Sequence, residues 1–496
     1  IPAFNGTLKV MAIAWTKEKV GDASADLTVR DPVVVTGSLP RFLAPGDATR
    51  IRFDLDNVDG PAGGYTLTLD PTGPLVLDQK TATLTLDEGE TATIEVGLSA
   101  DEPGTGTITA TLEGPDGASF DQSFTLPVRP AAPPVRERRL QALASGQQLS
   151  IGPEVAADVL PDDAQVTLAV TTGAPIDVPG LLMALDTYPY GCVEQTTSRA
   201  MPLLYLSEVA AGVGIASDPA IRDRIDKAIR RVLAMQDSSG AFGLWAPIGG
   251  DLWLNAYVTD FLTRAKEAGY SVPALPLSLA LDTIQNTLSY SSDFQSGEGA
   301  DVAYGLYVLA RNGRASIGDL RYFIDERLDD FGTPLARAQV GAAVAFSGDR
   351  QRADRSFASA AGALPPAAAD DRLDRRDYGS PLRDAAAGLT LVAEAAVDAG
   401  ELPAFTRAVT VASEAHGDVL TTQEMAWQLM AAHALGADAS GLDLSVDGLP
   451  HGGALYRAVS VSSLQRDPLT VANRGEITAE VAITVSGTPR LPLPAA

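Results

Sequence analysis

Tyr188-Pro189-Tyr190-Gly191-Cys192-Val193-Glu194-Gln195-Thr196-Thr197-Ser198 holds the single cysteine of a 496-residue chain. One cysteine cannot close an internal disulfide. Three positions on stands Gln195, whose carboxamide a thiol can attack. On a helical or 3-10 turn, residues i and i+3 share a face, so these two side chains can meet. If the Cys192 sulfur displaces the amide nitrogen of Gln195 and ammonia leaves, the product is an internal thioester. A thiolate, with a parent pKa of about 8.5, departs far more readily than an amide anion, so the Gln195 carbonyl becomes an acyl donor. Its attackers are a lysine amine, a hydroxyl or water, and a stored thioester must be kept dry. Tyr188, Pro189 and Tyr190 are placed to wall it off. By composition alone, a free buried cysteine is more often a small hydrophobe. The case for chemistry rests on the whole local string.

Outward from this stretch the chain changes character on both sides. From about Asp177 to Gly436 it is Ala/Leu-rich with helical periodicity. Helices are expected over 192–212, 218–236, 251–268, 274–288, 298–312, 316–328, 333–347, 351–361, 382–399, 402–414 and 421–435. An internal echo, Asn255-Ala256-Tyr257, Val302-Ala303-Tyr304 and Met425-Ala426-Trp427, puts a small residue beside an aromatic early in a helix. Helix hairpins repeated in this way pack into a barrel or solenoid, because no single hairpin can bury its own face. Residues 1–165 and 442–496 read as β. Val33–Val35, Arg50–Asp56, Tyr65–Leu69, Ala82–Leu86, Ala92–Leu98, Gly106–Leu112 and Ser123–Val128 are short strand-like runs. Gly/Pro turns separate them, which suggests an antiparallel sandwich. Pro130-Ala131-Ala132-Pro133-Pro134 reads as a stiff linker. Strand character returns at Leu442–Val446, Ala458–Ser462 and Glu476–Val485. A helical block between two sets of strands suggests a domain inserted in a loop of a β-sandwich.

Composition narrows the function. A net charge of −26 argues against nucleic-acid binding. No run of eighteen apolar residues is present to span a membrane. The chain opens on Ile1-Pro2-Ala3-Phe4-Asn5, inside strand-like sequence, and reads as a piece of something longer. No metal-ligand spacing of Cys or His occurs, and no cofactor is expected. His416, His433 and His451 read as structural or solvated. The run Asp370-Asp371-Arg372-Leu373-Asp374 reads as a surface charge network. Glu194 is a candidate capping or orienting carboxylate.

Gly191-Cys192-Val193-Glu194-Gln195 resembles the thioester signature of the α2-macroglobulin and complement superfamily. The flanking Tyr188-Pro189-Tyr190 and Thr196-Thr197-Ser198 resemble its bacterial α2-macroglobulins in particular. Ser38–Asp47, Asn5–Val20, Ser239–Trp245, Trp253–Val258 and Thr421–Glu424 resemble further segments of those proteins. The likeness covers essentially the whole chain. It implies a multidomain α and β fold: macroglobulin-like antiparallel sandwiches plus an all-α toroid thioester domain inserted in a CUB-type β-sandwich. The expected boundaries are 1–31 (end of a preceding macroglobulin-like domain), 32–130 (macroglobulin-like sandwich), 131–172 and 439–496 (the two parts of the CUB-type domain) and 173–438 (the helical thioester domain).

The resemblance also implies a function. Family members are protease-trapping inhibitors, in which a protease cuts a bait segment and the uncovered thioester acylates a lysine amine of that protease. Cys192 and Gln195 would form the cross-link, with Tyr188 and Tyr190 as its shield and Glu194 orienting it. Such a protein is a single-use endopeptidase inhibitor, not an enzyme. By the same likeness the bait lies upstream of Ile1, the protein is a monomer, and its location is the periplasm, with an inner-membrane anchor at an N-terminus outside this chain. Two departures matter. Val193 stands where animal members usually carry Gly. The stretch Ser289–Ser296 lacks the histidine that some complement members use to redirect the acyl group, so direct transfer to amines is expected rather than ester formation. Two rivals stand beside this reading: a cysteine-nucleophile hydrolase or transferase, which needs a positioned base, and a binding module whose thioester never forms.

Overall fold

The computed structural model describes residues 5–130, 132–161, 164–212, 218–291, 294–295, 299–365, 375, 377–395, 400–415, 419–436 and 441–489. Two compact units divide between Pro133 and Pro134.

The first unit is all β. Strands β1 (Gly6–Trp15) and β2 (Val20–Val29) form a long antiparallel hairpin. Eight further strands follow: β3 (Val33–Ser38), β4 (Asp47–Asn57), β5 (Gly63–Pro71), β6 (Leu75–Leu77), β7 (Thr81–Leu86), β8 (Thr91–Ala100), β9 (Gly104–Glu113) and β10 (Ser119–Val128). They make two four-stranded sheets, ordered β10-β9-β5-β7 and β3-β4-β8-β6. Alternating residues point inward, as the period of two requires. Ile51, Phe53 and Leu55 of β4 meet Tyr65, Leu67 and Leu69 of β5 in one core. The three-residue β6 carries too short a pattern to be read from sequence.

The second unit starts with β11 (Val135–Leu143), β12 (Gln148–Ile151) and β13 (Gln165–Thr171). Thirteen helices follow: α1 (Val178–Thr187), α2 (Val193–Ala200), α3 (Leu203–Gly212), α4 (Asp218–Leu233), α5 (Leu252–Glu267), α6 (Ala274–Ser291), α7 (Ala300–Arg311), α8 (Ile317–Glu326), α9 (Pro334–Ala345), α10 (Arg350–Gly362), α11 (Pro381–Glu394), α12 (Leu402–Ala415) and α13 (Thr422–Gly436). Then come β14 (Asp443–Val446), β15 (Leu449–Gly452), β16 (Leu455–Ser460), a short α14 (Val461–Arg466), β17 (Leu469–Asn473) and β18 (Ala479–Gly487). The strands form two antiparallel sheets, β11-β18-β13-β16 and β12-β17-β14-β15, around one core. Each sheet mixes strands from before and after the helices, so the helical block is an insertion. Asp177, buried at the start of α1, ties block to sandwich. It accepts from Arg136 of β11 at 2.6 Å and from Thr167 of β13 at 2.8 Å, and caps α1 through the Gly180 N–H at 3.0 Å.

The helices form a toroid. Its inner ring runs α2, α5, α7, α9, α11, α13 and back to α2, each packed on the next. Inner helices are buried on nearly every side, such as Leu252–Ala265 of α5 and Thr422–Ala432 of α13. Small residues between aromatics permit this close packing, which explains the Ala-aromatic echo. The contacts run in parallel: Asp260 of α5 accepts from Tyr304 of α7, and one turn on Arg264 donates to Tyr307. At the C-terminal end, buried Arg264 pairs with Asp260 at 2.9 Å and with Glu394 at 2.6 Å, and Arg311 with Glu267 at 2.6 Å. Cations there oppose the partial negative charge of the helix ends.

Three expectations change in detail, and a fourth is only partly covered by the described residues. The helix expected over 192–212 is two, α2 and α3. Pro202 lacks an N–H and cannot continue α2, so the chain turns at Met201–Pro202. Helix α1 was not expected, although Asp177 and Pro179 are its start signals. Residues 461–462, expected as strand, open α14 because Ser460 caps it. The last third of the helix expected over 382–399 falls partly outside the described residues.

Candidate functional site

The site lies at the N-terminal end of α2. Cys192 is the N-cap, with φ −64° and ψ 173°. Its Sγ accepts from the Gln195 N–H at 3.4 Å, and Gln195 Oε1 accepts from the Cys192 N–H at 3.1 Å. This is a capping box with sulfur in place of the usual hydroxyl. Both side chains are therefore bent over one turn of backbone, sulfur and carboxamide on the same face. Cys192 is 5% exposed. Burial pushes its thiol up, and the Glu194 carboxylate adds to this, while the Gln195 N–H pulls the other way.

Three segments hold the turn in place. The Val193 N–H donates to the Leu244 carbonyl at 3.0 Å. The loop bearing Leu244 is tight: a Cβ on Gly243 would lie 1.9 Å from the Ala246 oxygen, so only glycine fits. Arg231 donates to the Gly191 carbonyl at 2.7 Å, and Arg199 to the Asp186 carbonyl at 2.9 Å. The Val193 side chain packs into the helical core.

Glu194 is buried and points into a polar knot. It accepts from Ser198 Oγ at 2.6 Å, Thr422 Oγ1 at 3.0 Å and Gln423 Nε2 at 2.8 Å. Tyr257 of α5 reaches Ser198 at 2.8 Å, and Trp427 donates to Gln423 Oε1 at 3.3 Å. The knot thus fastens the first turns of α2 and α13 and ties in α5. Sequence reasoning left Ser198, Tyr257, Thr422 and Gln423 without roles. The one readable signal was Thr421-Thr422-Gln423-Glu424, a capping-box pattern.

Tyr188 and Tyr190 precede the turn, their rings edge to face at 5.8 Å. Tyr188 is half-buried and Tyr190 is 62% exposed. Burial pushes the Tyr188 hydroxyl up, with the Glu194 carboxylate adding to it. The histidines are elsewhere. His433 stacks on Tyr205 at 4.6 Å, eleven residues along α13 from Thr422, a rise of about 16 Å. His451 contacts the Ala454 carbonyl at 3.1 Å in the β15–β16 turn. His416 and the acidic run 370–374 lie outside the described residues, as do Ser292, Asp293 and Ser296. Among the described residues, no group of three His, Cys, Asp or Glu could hold a metal ion, and no helix is long and apolar enough to cross a membrane.

Antiparallel sandwiches joined to a helix toroid, with a Cys-x-x-Gln box opening an inner helix, define the macroglobulin class. A family model described as the A-macroglobulin TED domain matches residues 167–305. Alpha-2-macroglobulin of Escherichia coli (strain K12) is 32% identical over 99% of this chain and 31% of its own length. Alpha-2-macroglobulin of Xylella fastidiosa (strain Temecula1) is 30% identical over 79% of this chain and 24% of its own. Native E. coli alpha-2-macroglobulin, solved from domain MG7 to the C-terminus, superposes with a TM-score of 0.70. It is 30% identical, with 94% of this chain and 75% of that one covered. Salmonella alpha-2-macroglobulin reacted with methylamine superposes at 0.70, with 31% identity over 99% of this chain and 33% of that one. The chain belongs to the alpha-2-macroglobulin family. It spans about a third of the length of the E. coli relative.

Proposed function

We propose that this chain carries the acylating centre of a protease-trapping inhibitor, an internal thioester between Cys192 and Gln195. The observation that supports this reading is the sulfur-bearing capping box, which bends thiol and carboxamide over one turn. In bond formation, Cys192 Sγ attacks Gln195 Cδ. The S–C bond forms, the Cδ–Nε2 bond breaks, and the nitrogen leaves as ammonia with the thiol proton. In use, a lysine amine attacks Cδ. The new C–N bond forms and the Cδ–S bond breaks. The departing sulfur takes up the proton that the amine loses, leaving an amide and a free thiol. Sulfur leaves toward the Gln195 N–H at the α2 N-terminus, whose partial positive charge favours a developing thiolate. The donor is consumed once, so the protein is an inhibitor and does not turn over.

Tyr188, the half-buried ring, serves as the inner shield and Tyr190 as the outer one. Acyl transfer goes directly to amines, because no histidine stands beside Cys192 among the described residues. The partners are proteases attacked through lysine. The location is the periplasm and the working state a monomer. The methylamine-reacted Salmonella relative supports the amine chemistry.

Intact mass and thiol titration test the reading. Freshly prepared chain should be lighter than its translated sequence by one ammonia. Methylamine should restore one methylamine-sized increment and release one thiol. Glycerol should give little ester. A chain at full translated mass with a free Cys192 from the outset, in protein never exposed to amines, counts against the thioester.

A further inference from the structure

Tyr378 has φ 53°, a left-handed conformation that costs a non-glycine residue about 1 kcal/mol or more. Such strain persists only where the surroundings impose it. Here they do. Asp377 is gripped by Arg375 through contacts of 2.9 and 2.5 Å and by Arg383 at 2.6 Å. On the other side Ser380 caps α11 and donates to Glu424 at 2.6 Å, on the helix whose Thr422 and Gln423 hold Glu194. The Tyr378 ring leans on Trp253 at 5.0 Å, and Trp253 stacks on Tyr257 at 5.1 Å. Tyr257 in turn bonds Ser198 of α2. The ring is thus the outer, half-exposed layer of an aromatic stack that runs through Trp253 at the start of α5 to Tyr257, whose hydroxyl meets α2 at Ser198. Burial raises its hydroxyl, and the Asp251 and Glu194 carboxylates add to this.

We infer that Tyr378 is a specificity-determining residue of the acyl-transfer site. As the outer ring of the stack that ends on α2 at Ser198, three residues on from Gln195, it limits the bulk of the amine that reaches the Gln195 carbonyl. This rests on the thioester reading above. Unbranched primary amines, as on a lysine side chain, would pass, while branched or ring-bearing amines would be obstructed.

The test compares the full chain with Tyr378→Gly and Tyr378→Phe. Glycine relieves the backbone strain while removing the ring, so folding is not the weak point. Thiol release is followed with methylamine and with cyclohexylamine. The ratio of the cyclohexylamine rate to the methylamine rate should rise roughly tenfold in Tyr378→Gly, the scale of a pocket gaining space for a few methylenes. In Tyr378→Phe it should stay at the wild-type value, because the contact with Trp253 needs only the ring. An unchanged ratio in the glycine variant, or loss of its thioester while wild type keeps one, overturns this inference alone. A wild-type chain with no ammonia deficit overturns the thioester reading and this inference with it.

Discussion

Helices α2 and α13 stand side by side in the inner ring and begin with the same four-residue device. In α13, Thr421 Oγ1 accepts from the Glu424 N–H at 3.2 Å and Glu424 Oε2 accepts from the Thr421 N–H at 2.8 Å. In α2, Cys192 and Gln195 make the same reciprocal pair at 3.4 and 3.1 Å. Geometry is shared and chemistry is not. A hydroxyl and a carboxylate in that arrangement satisfy orphan backbone donors and offer no acyl transfer. A thiol and a carboxamide satisfy them and also place a nucleophile against an acyl carbon. On the thioester reading proposed above, a reactive centre is an ordinary cap with two side chains changed.

The largest effect should follow from turning the α2 cap into one like that of α13. Cys192→Ser keeps a hydrogen-bonding N-cap, which Ser fills well, so stability should move by no more than about 1 kcal/mol. The ammonia deficit and all methylamine uptake should vanish. Mass spectrometry with and without methylamine reads the first, and thermal unfolding the second. Residual uptake at position 195 would mean that the sulfur is not the leaving group.

Glu194 links the two caps, and its removal should come next in size. Glu194→Ala takes from Thr422 Oγ1 its acceptor in the interior, and a buried polar group left unpaired costs about 1–3 kcal/mol, while Ser198 keeps Tyr257 and Gln423 as partners. The first turn of α2 also loses its tie to α13, so a smaller fraction of chains should carry the ammonia deficit. Glu194→Gln keeps one acceptor and should fall between the two on both counts. Equal thioester content in Glu194→Ala and wild type would make Glu194 a purely structural residue.

How much of this was legible in advance follows from where each signal lives. Cys192 and Gln195 are three positions apart in sequence, so an i, i+3 argument was enough to place them together. The paired sandwich strands alternate and could be read as β. The helix insertion showed as a change of composition at its two edges. What could not be read is what the toroid closes in space. Thr422 and Gln423 lie 228 and 229 residues from Glu194. No local pattern says that α13 begins beside α2. Tyr378 likewise looked like any tyrosine before a glycine, because its meaning lies in a left-handed backbone and in Trp253, neither of which a single sequence displays. Pro202, by contrast, was visible, and the long helix drawn through it ignored a local rule.

Thr421→Ala removes the α13 cap and should cost about 1 kcal/mol in thermal or urea unfolding. Because Glu194 keeps Thr422 and Gln423, the thioester content should be that of wild type. A loss of thioester as large as that of Glu194→Ala would show that the α13 cap sets the α2 geometry as strongly as the knot does.

The smallest effect is one of pH, and only the α2 cap should show it. Once the acyl group has been transferred, Cys192 is a free thiol whose proton burial holds more tightly than in the unfolded chain. A group with a raised folded-state pKa stabilises the fold fully below its unfolded value, about 8.5 for cysteine, and that contribution fades as pH rises through the folded value. Alkylation of methylamine-treated native chain by iodoacetamide should accordingly reach its half-maximal rate at higher pH than alkylation of the same chain in denaturant. Stability of the treated chain should fall more steeply above pH ~8.5 than that of Cys192→Ser, which has no proton to lose there. Coincident alkylation profiles would mean that the spent thiol is no longer held in the buried cap, and that acyl transfer pulls the two halves of the box apart.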